Sequence, residues 1–150
     1  MLESFQMSLQ ALLNLSEDEK EELLTSLDLL KFQMDNLVEH FYFYLMKTNA
    51  GRLFEKTEMM KQHVMFNSSL GILIAHIDHP QLLQQHLDNL IERHSHYGVK
   101  SEHVDDFIES FKNALQDIFD DPNDSTNKQY IEIWYKLIHS VMIYFKNEIK

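Results

Sequence analysis

Residues 80–99 read PQLLQQHLDNLIERHSHYGV, and this stretch decides the fold class. Leu83, Leu87, Leu90 and Ile91 recur at three- and four-residue intervals, which places them on one face of an α-helix. Pro80 suits the first turn of that helix, where a missing N–H leaves no hydrogen bond unmade. Gly98 stands just past the last turn and is a natural stop. His94 follows Leu87 by seven residues, Leu90 by four and Ile91 by three, so it faces the same way as the apolar side chains. An inward imidazole is either a core histidine satisfied by its surroundings or a metal ligand. Spacing alone leaves both readings open.

Further helices are read on either side. Residues 58–77 carry Met59, Phe66, Leu70, Leu73, Ile74 and Ile77 on one face. Gln62 and His63 lie at the two edges of that stripe, and spacing does not choose between them. Upstream, Met34, Leu37, Val38, Phe41, Tyr42 and Leu45 form another stripe, followed by an irregular region around Thr48 to Gly51. Tyr42 faces inward; the ordinary reading is a core tyrosine whose hydroxyl finds a carbonyl. Ser16 with Glu19 is a capping box that starts a helix running to about Leu30, and residues 2–13 form a short first segment. Downstream, Ser101 caps a helix bearing Val104, Phe107, Ile108, Phe111, Leu115 and Ile118. A polar turn at residues 120–127 precedes a last helix that buries Trp134, Leu137, Ile138, Val141 and Phe145.

Composition agrees and excludes much chemistry. Three Gly and two Pro in 150 residues are too few for the turns of a many-stranded sheet. One domain is expected over residues 1–150, with 1–15 as an N-terminal extension. Cysteine is absent, so disulfides, thiol nucleophiles and cysteine-held zinc are ruled out. The isolated glycines build neither a G-x-G dinucleotide loop nor a phosphate loop. No Glu-x-x-His pair of a di-iron bundle and no H-E-x-x-H zinc motif occurs. His76 and His79 are read as a solvated turn rather than a surface metal site. A formal charge of −11 repels phosphate backbones, which argues against nucleic acid. No apolar run reaches the ~20 residues that span a bilayer, and Met1-Leu2-Glu3-Ser4 lacks the basic start of a signal peptide. No membrane association and a cytoplasmic location are expected.

The ordered set of features resembles the bacterial single-domain globins, haem proteins related to flavohaemoglobin globin domains and neuroglobin. Phe41-Tyr42 is similar to the pair in the family's second helix, and Leu53-Phe54 to the pair at the corner where a phenylalanine packs on haem. Gln62, eight residues after Phe54, falls at the family's distal position. The run Arg93-His94-Ser95-His96-Tyr97-Gly98-Val99 is similar to the R/K-H-x-x-Y-G-V run that holds the proximal histidine, and Trp134 matches the last helix. The resemblance spans roughly residues 16–148. It implies an all-α globin fold of about seven to eight helices with an extra short N-terminal helical segment.

The resemblance further implies haem b as cofactor, with His94 as the iron ligand. It implies distal donors at Tyr42 and Gln62, with Tyr44 as fallback for Tyr42, and apolar walls from Phe54, Phe66, Val99, Phe107 and Ile138. Arg93, with Tyr97 or His96, is implied to meet the haem propionates, although helical spacing turns His96 away from the face of His94. Val104 stands where flavohaemoglobins carry a tyrosine, and no glutamate matches on the last helix, so a backbone carbonyl is the expected partner of His94. The implied function is reversible binding of dioxygen, carbon monoxide and nitric oxide. Nitric oxide dioxygenation with an external reductase is an extension of it. A gas sensor or interaction module, and a haem-free signalling module, are the alternatives. Oligomeric state is left open.

Overall fold

The computed structural model describes residues 9–119 and 126–149. Seven α-helices and one 3-10 segment make up these residues: α1 Leu9–Leu13, α2 Glu17–Leu30, α3 Met34–Leu45, the 3-10 segment Asn49–Phe54, α4 Met59–Ala75, α5 Pro80–His96, α6 Ser101–Phe119 and α7 Thr126–Glu148. There is no strand among the described residues. The expected first segment at 2–13 appears as α1; its residues 2–8, and residues 120–125 of the expected polar turn, lie outside the described residues.

Local chemistry sets the helix ends. Ser16 and Glu19 form the reciprocal capping box, with Glu19 N–H on Ser16 Oγ at 3.1 Å and Ser16 N–H on Glu19 Oε1 at 3.0 Å. Glu17, Asp18 and Glu19 place negative charge at the positive end of the helix dipole. Between α1 and α2, Asn14 takes a positive φ of 32°, a conformation asparagine tolerates better than most residues. In the 3-10 segment, a Cβ on Gly51 would stand 2.6 Å from the carbonyl oxygen of Met46, so only glycine lets the chain fold back there.

The end of α5 explains half of the histidine run. Gly98 has φ +84°. Its N–H donates to Ser95 O at 3.2 Å, and Val99 N–H donates to His94 O at 3.2 Å. This is a Schellman stop, in which a left-handed residue turns the next side chain back onto the last helical turn. Val99 is thereby returned beside His94.

α6 is the central helix, packed against α3 on one side and α7 on the other. α1 and α2 both lie on α7, α4 packs on α3, and α5 meets α7 and α1. Trp134 is wholly buried, and its indole N–H donates to Ser26 Oγ at 2.6 Å, which in turn donates to Leu23 O at 2.7 Å. Lys136 on Glu19, at 2.7 Å, closes the same α2–α7 contact at the surface. Phe41, Phe66, Phe107 and Phe111 interlock where α3, α4 and α6 meet, with Phe41 4.6 Å from Phe66 and 4.7 Å from Phe107 between ring centroids. Tilted and edge-on pairs of this kind add to the gain from area burial. The apolar face of α5 has less protein against it, and a cavity lies there.

Candidate functional site

A cavity of about 610 Å³ opens between α5 and the helices α3, α4, α6 and α7. Its size falls within the roughly 300–1,000 Å³ of organic-ligand sites. Leucine, phenylalanine and valine side chains dominate the wall, and the polar groups are few. All ten residues singled out from sequence (Tyr42, Phe54, Gln62, Phe66, Arg93, His94, Tyr97, Val99, Phe107 and Ile138) line it. Tyr97 is largely exposed and Arg93 is exposed, so both sit at the rim rather than the floor.

On the α5 side, His94 is half-buried. Its Nδ1 lies 2.6 Å from the carbonyl oxygen of Leu90, one turn back along the helix. A carbonyl only accepts, so Nδ1 carries the proton and Nε2 of the neutral ring keeps a free lone pair. Burial pushes the His94 pKa down; the Leu90 bond opposes this, and the Arg93 charge adds to it. The ring is therefore neutral at pH 7, as a metal ligand requires. Phe145 of α7 meets it edge-on, 5.4 Å away at 83°. Val104 is buried and lines the cavity, and the acceptor for His94 is a backbone carbonyl. His96 is exposed and does not line the cavity.

Across the cavity, Gln62 Nε2 donates to the Tyr42 hydroxyl at 3.0 Å. The phenol oxygen is the acceptor in that bond, so its own proton stays available to a guest. Burial pushes the Tyr42 pKa up to about 12, with the Gln62 bond acting the other way, which keeps the phenol protonated. His63 does not line the cavity. It stacks on the Tyr42 ring at 4.8 Å and 8°, so neighbouring residues of α4 hold Tyr42 by hydroxyl and by face. Sequence spacing left Gln62 and His63 level; helix rotation puts the glutamine inside.

Tyr44 has a different employment. Its hydroxyl donates to Asp117 Oδ2 at 2.6 Å, and His40 Nδ1 meets the same oxygen at 2.9 Å, fastening α3 to α6. Partial burial works to raise the Asp117 pKa, but the Tyr44 and His40 bonds and the His40 charge outweigh it and leave a value below 3.8. A depressed carboxylate pKa contributes stability above the unfolded value and loses it as pH falls through the folded value. Thermal melts between pH 2 and 6 should therefore show Asp117→Asn losing stability relative to the parent at the upper end, with the two curves converging below about pH 4.

Two histidines that spacing analysis passed over also line the cavity, His86 and His103. His103 Nδ1 accepts the Lys100 N–H at 2.9 Å, which leaves the ring proton on Nε2. His86 Nε2 is buried with no hydrogen-bond partner. The signal for both was present: His86 is three residues after Leu83, and His103 is four before Phe107. An orphaned polar atom in a largely apolar wall marks a space shaped for something other than side chains. No three His, Asp or Glu side chains gather as an ion site among the described residues. One neutral imidazole, a largely apolar wall and the Tyr42–Gln62 pair are groups that a metal carried in an organic ring would fit.

The globin family model matches residues 39–143, which run from α3 to α7. No curated protein matches the chain at a significant level.

Proposed function

This chain belongs to the globin family, and from that premise we propose that residues 1–150 form one domain that holds haem b and reversibly binds dioxygen, carbon monoxide and nitric oxide. The observation that supports the reading best is the free Nε2 of His94, in the same cavity as the Tyr42–Gln62 pair. When bound, haem would supply an iron able to take a diatomic gas reversibly.

The chain's own residues account for the rest. His94, neutral and with Nδ1 on Leu90 O, would hold the iron through Nε2, and the carbonyl sets the tautomer and orientation of the ring. Tyr42, accepting from Gln62, offers its proton to a gas molecule that carries partial negative charge. The low dielectric around Phe54, Phe66, Phe107 and Ile138 strengthens that bond and keeps water out. Arg93 and Tyr97 at the rim are placed to meet the carboxylates of the cofactor.

A donor pair of this kind favours polarised dioxygen over carbon monoxide. Nitric oxide dioxygenation with a separate reductase would be an extension of the same binding, and turnover of nitric oxide with a reductase, compared with free haem, would distinguish it from oxygen binding. We place the protein in the bacterial cytoplasm. No helix among the described residues is long and apolar enough to cross a membrane.

Ultraviolet–visible spectra of the haem-reconstituted protein test the reading. A strong Soret band is expected, with distinct ferric, ferrous and carbonyl forms. A protein that leaves haemin no better held than serum albumin does would sink it and favour a haem-free signalling module. Ligand-dependent association between oxy and ferric forms would favour a sensor.

A further inference from the structure

α5 carries His94, and its apolar face looks onto the cavity through Leu83, Leu87 and Leu90. Leu83, Leu87 and Ile91 are nevertheless buried in the core, and polar contacts at the flanks of the helix add to that packing. Two hydrogen bonds do so among the described residues. Leu9 N–H of α1 donates to Gln84 Oε1 at 3.2 Å, and the Tyr144 hydroxyl of α7 donates to Asp88 Oδ1 at 2.5 Å. Tyr144 is buried, whereas Asp88 is exposed, so the phenol reaches outward from the core to grip the helix. The next residue of α7, Phe145, stands edge-on to His94. Asp88 and His94 are six residues apart, about 9 Å along the axis and roughly 120° apart around it. Two fixed points so separated determine both the height and the rotation of a helix.

We propose that Tyr144 is a positioning residue for the haem ligand: its bond to Asp88, with Phe145 against the ring, fixes α5 so that His94 presents Nε2 to the cavity. The proposal rests on His94 as axial ligand, the reading given above. Burial, with the neighbouring Asp88 carboxylate, pushes the Tyr144 pKa upward, so the phenol remains a donor throughout the working range. A hydrogen bond to a charged acceptor is among the stronger kinds.

Three single variants, one double variant and one control test the latch. Tyr144→Phe and Asp88→Ala should each speed haem transfer to an apo-globin scavenger about tenfold, and together no more than either alone. Asp88→Asn keeps an acceptor and should stay close to the parent. In the ferrous protein, resonance Raman should show the iron–histidine stretching band shifted or broadened in the first two variants. In the haem-free protein, hydrogen exchange should quicken in α5 and not in α6. Ser26→Ala, which removes the acceptor of the Trp134 indole far from α5, should lower the melting temperature and leave the Raman band unmoved. The proposal fails if Tyr144→Phe and Asp88→Ala leave transfer, band and α5 exchange unchanged, or if Ser26→Ala changes the band equally. If the parent never shows a Soret band, the haem reading fails instead, and α5 exchange in the haem-free chain still decides the latch.

Discussion

Replacing His94 by alanine should release haem at least about a hundredfold faster than the parent. The scale follows from the 10–100-fold that outer partners alone contribute to metal affinity. On the proposed reading the variant would lose the coordinate bond itself. It should also lose the ferrous five-coordinate spectrum, and exogenous imidazole should restore much of the Soret intensity by entering the vacated space. Folding should suffer less, because His94 is half-buried and its one hydrogen bond runs within its own helix to Leu90. The comparison is therefore made on circular dichroism and haem transfer together. An unchanged transfer rate with an unchanged ferrous spectrum would refute the assignment. His86 and His103 would then be the imidazoles to test, since both line the same cavity.

The reach of sequence reasoning can be judged at particular residues. The helices were legible because their apolar residues recur with helical period and their ends carry explicit signals, among them the Ser16 and Glu19 box and Gly98. The inward direction of His94 was legible for the same reason. Its role was not: periodicity reports which face a side chain is on, and a core histidine and an iron ligand share a face. The distal register, for which the family resemblance selects Gln62, was illegible from spacing on different grounds. Gln62 and His63 sit 100° apart, on opposite edges of one stripe, and only the packing of α4 against α3 decides which edge turns to the cavity. Tyr42 and Tyr44 differ in the same way: Tyr42 lines the cavity, whereas Tyr44 is engaged by Asp117 on α6, 73 residues away. Long-range hydrogen bonds of this kind leave no local trace. The Tyr144–Asp88 latch, 56 residues apart in sequence, belongs to that class too.

Tyr42→Phe should raise the dioxygen dissociation rate roughly ten- to a hundredfold, because a hydrogen bond to a polarised acceptor is worth about 1.5–3 kcal/mol. Carbon monoxide, with little charge to stabilise, should dissociate nearly as before, and the contrast separates a lost donor from a general loosening of the cavity. The phenylalanine ring keeps the stacking partner of His63 and the contacts with Phe41 and Phe66, so the wall itself stays in place. Gln62→Leu acts at one remove. It takes away the amide that orients the phenol and the second donor of the pair, and should raise the rate by less than Tyr42→Phe does. The double variant should fall short of the sum of the two effects, since the two groups share one hydrogen bond. Stopped-flow displacement of dioxygen by carbon monoxide measures all three. An unaltered rate in Tyr42→Phe would pass the donor role to Gln62 alone. Altered kinetics in His63→Leu beside unaltered kinetics in Gln62→Leu would mean that α4 turns the other edge of its stripe inward when the cavity is filled.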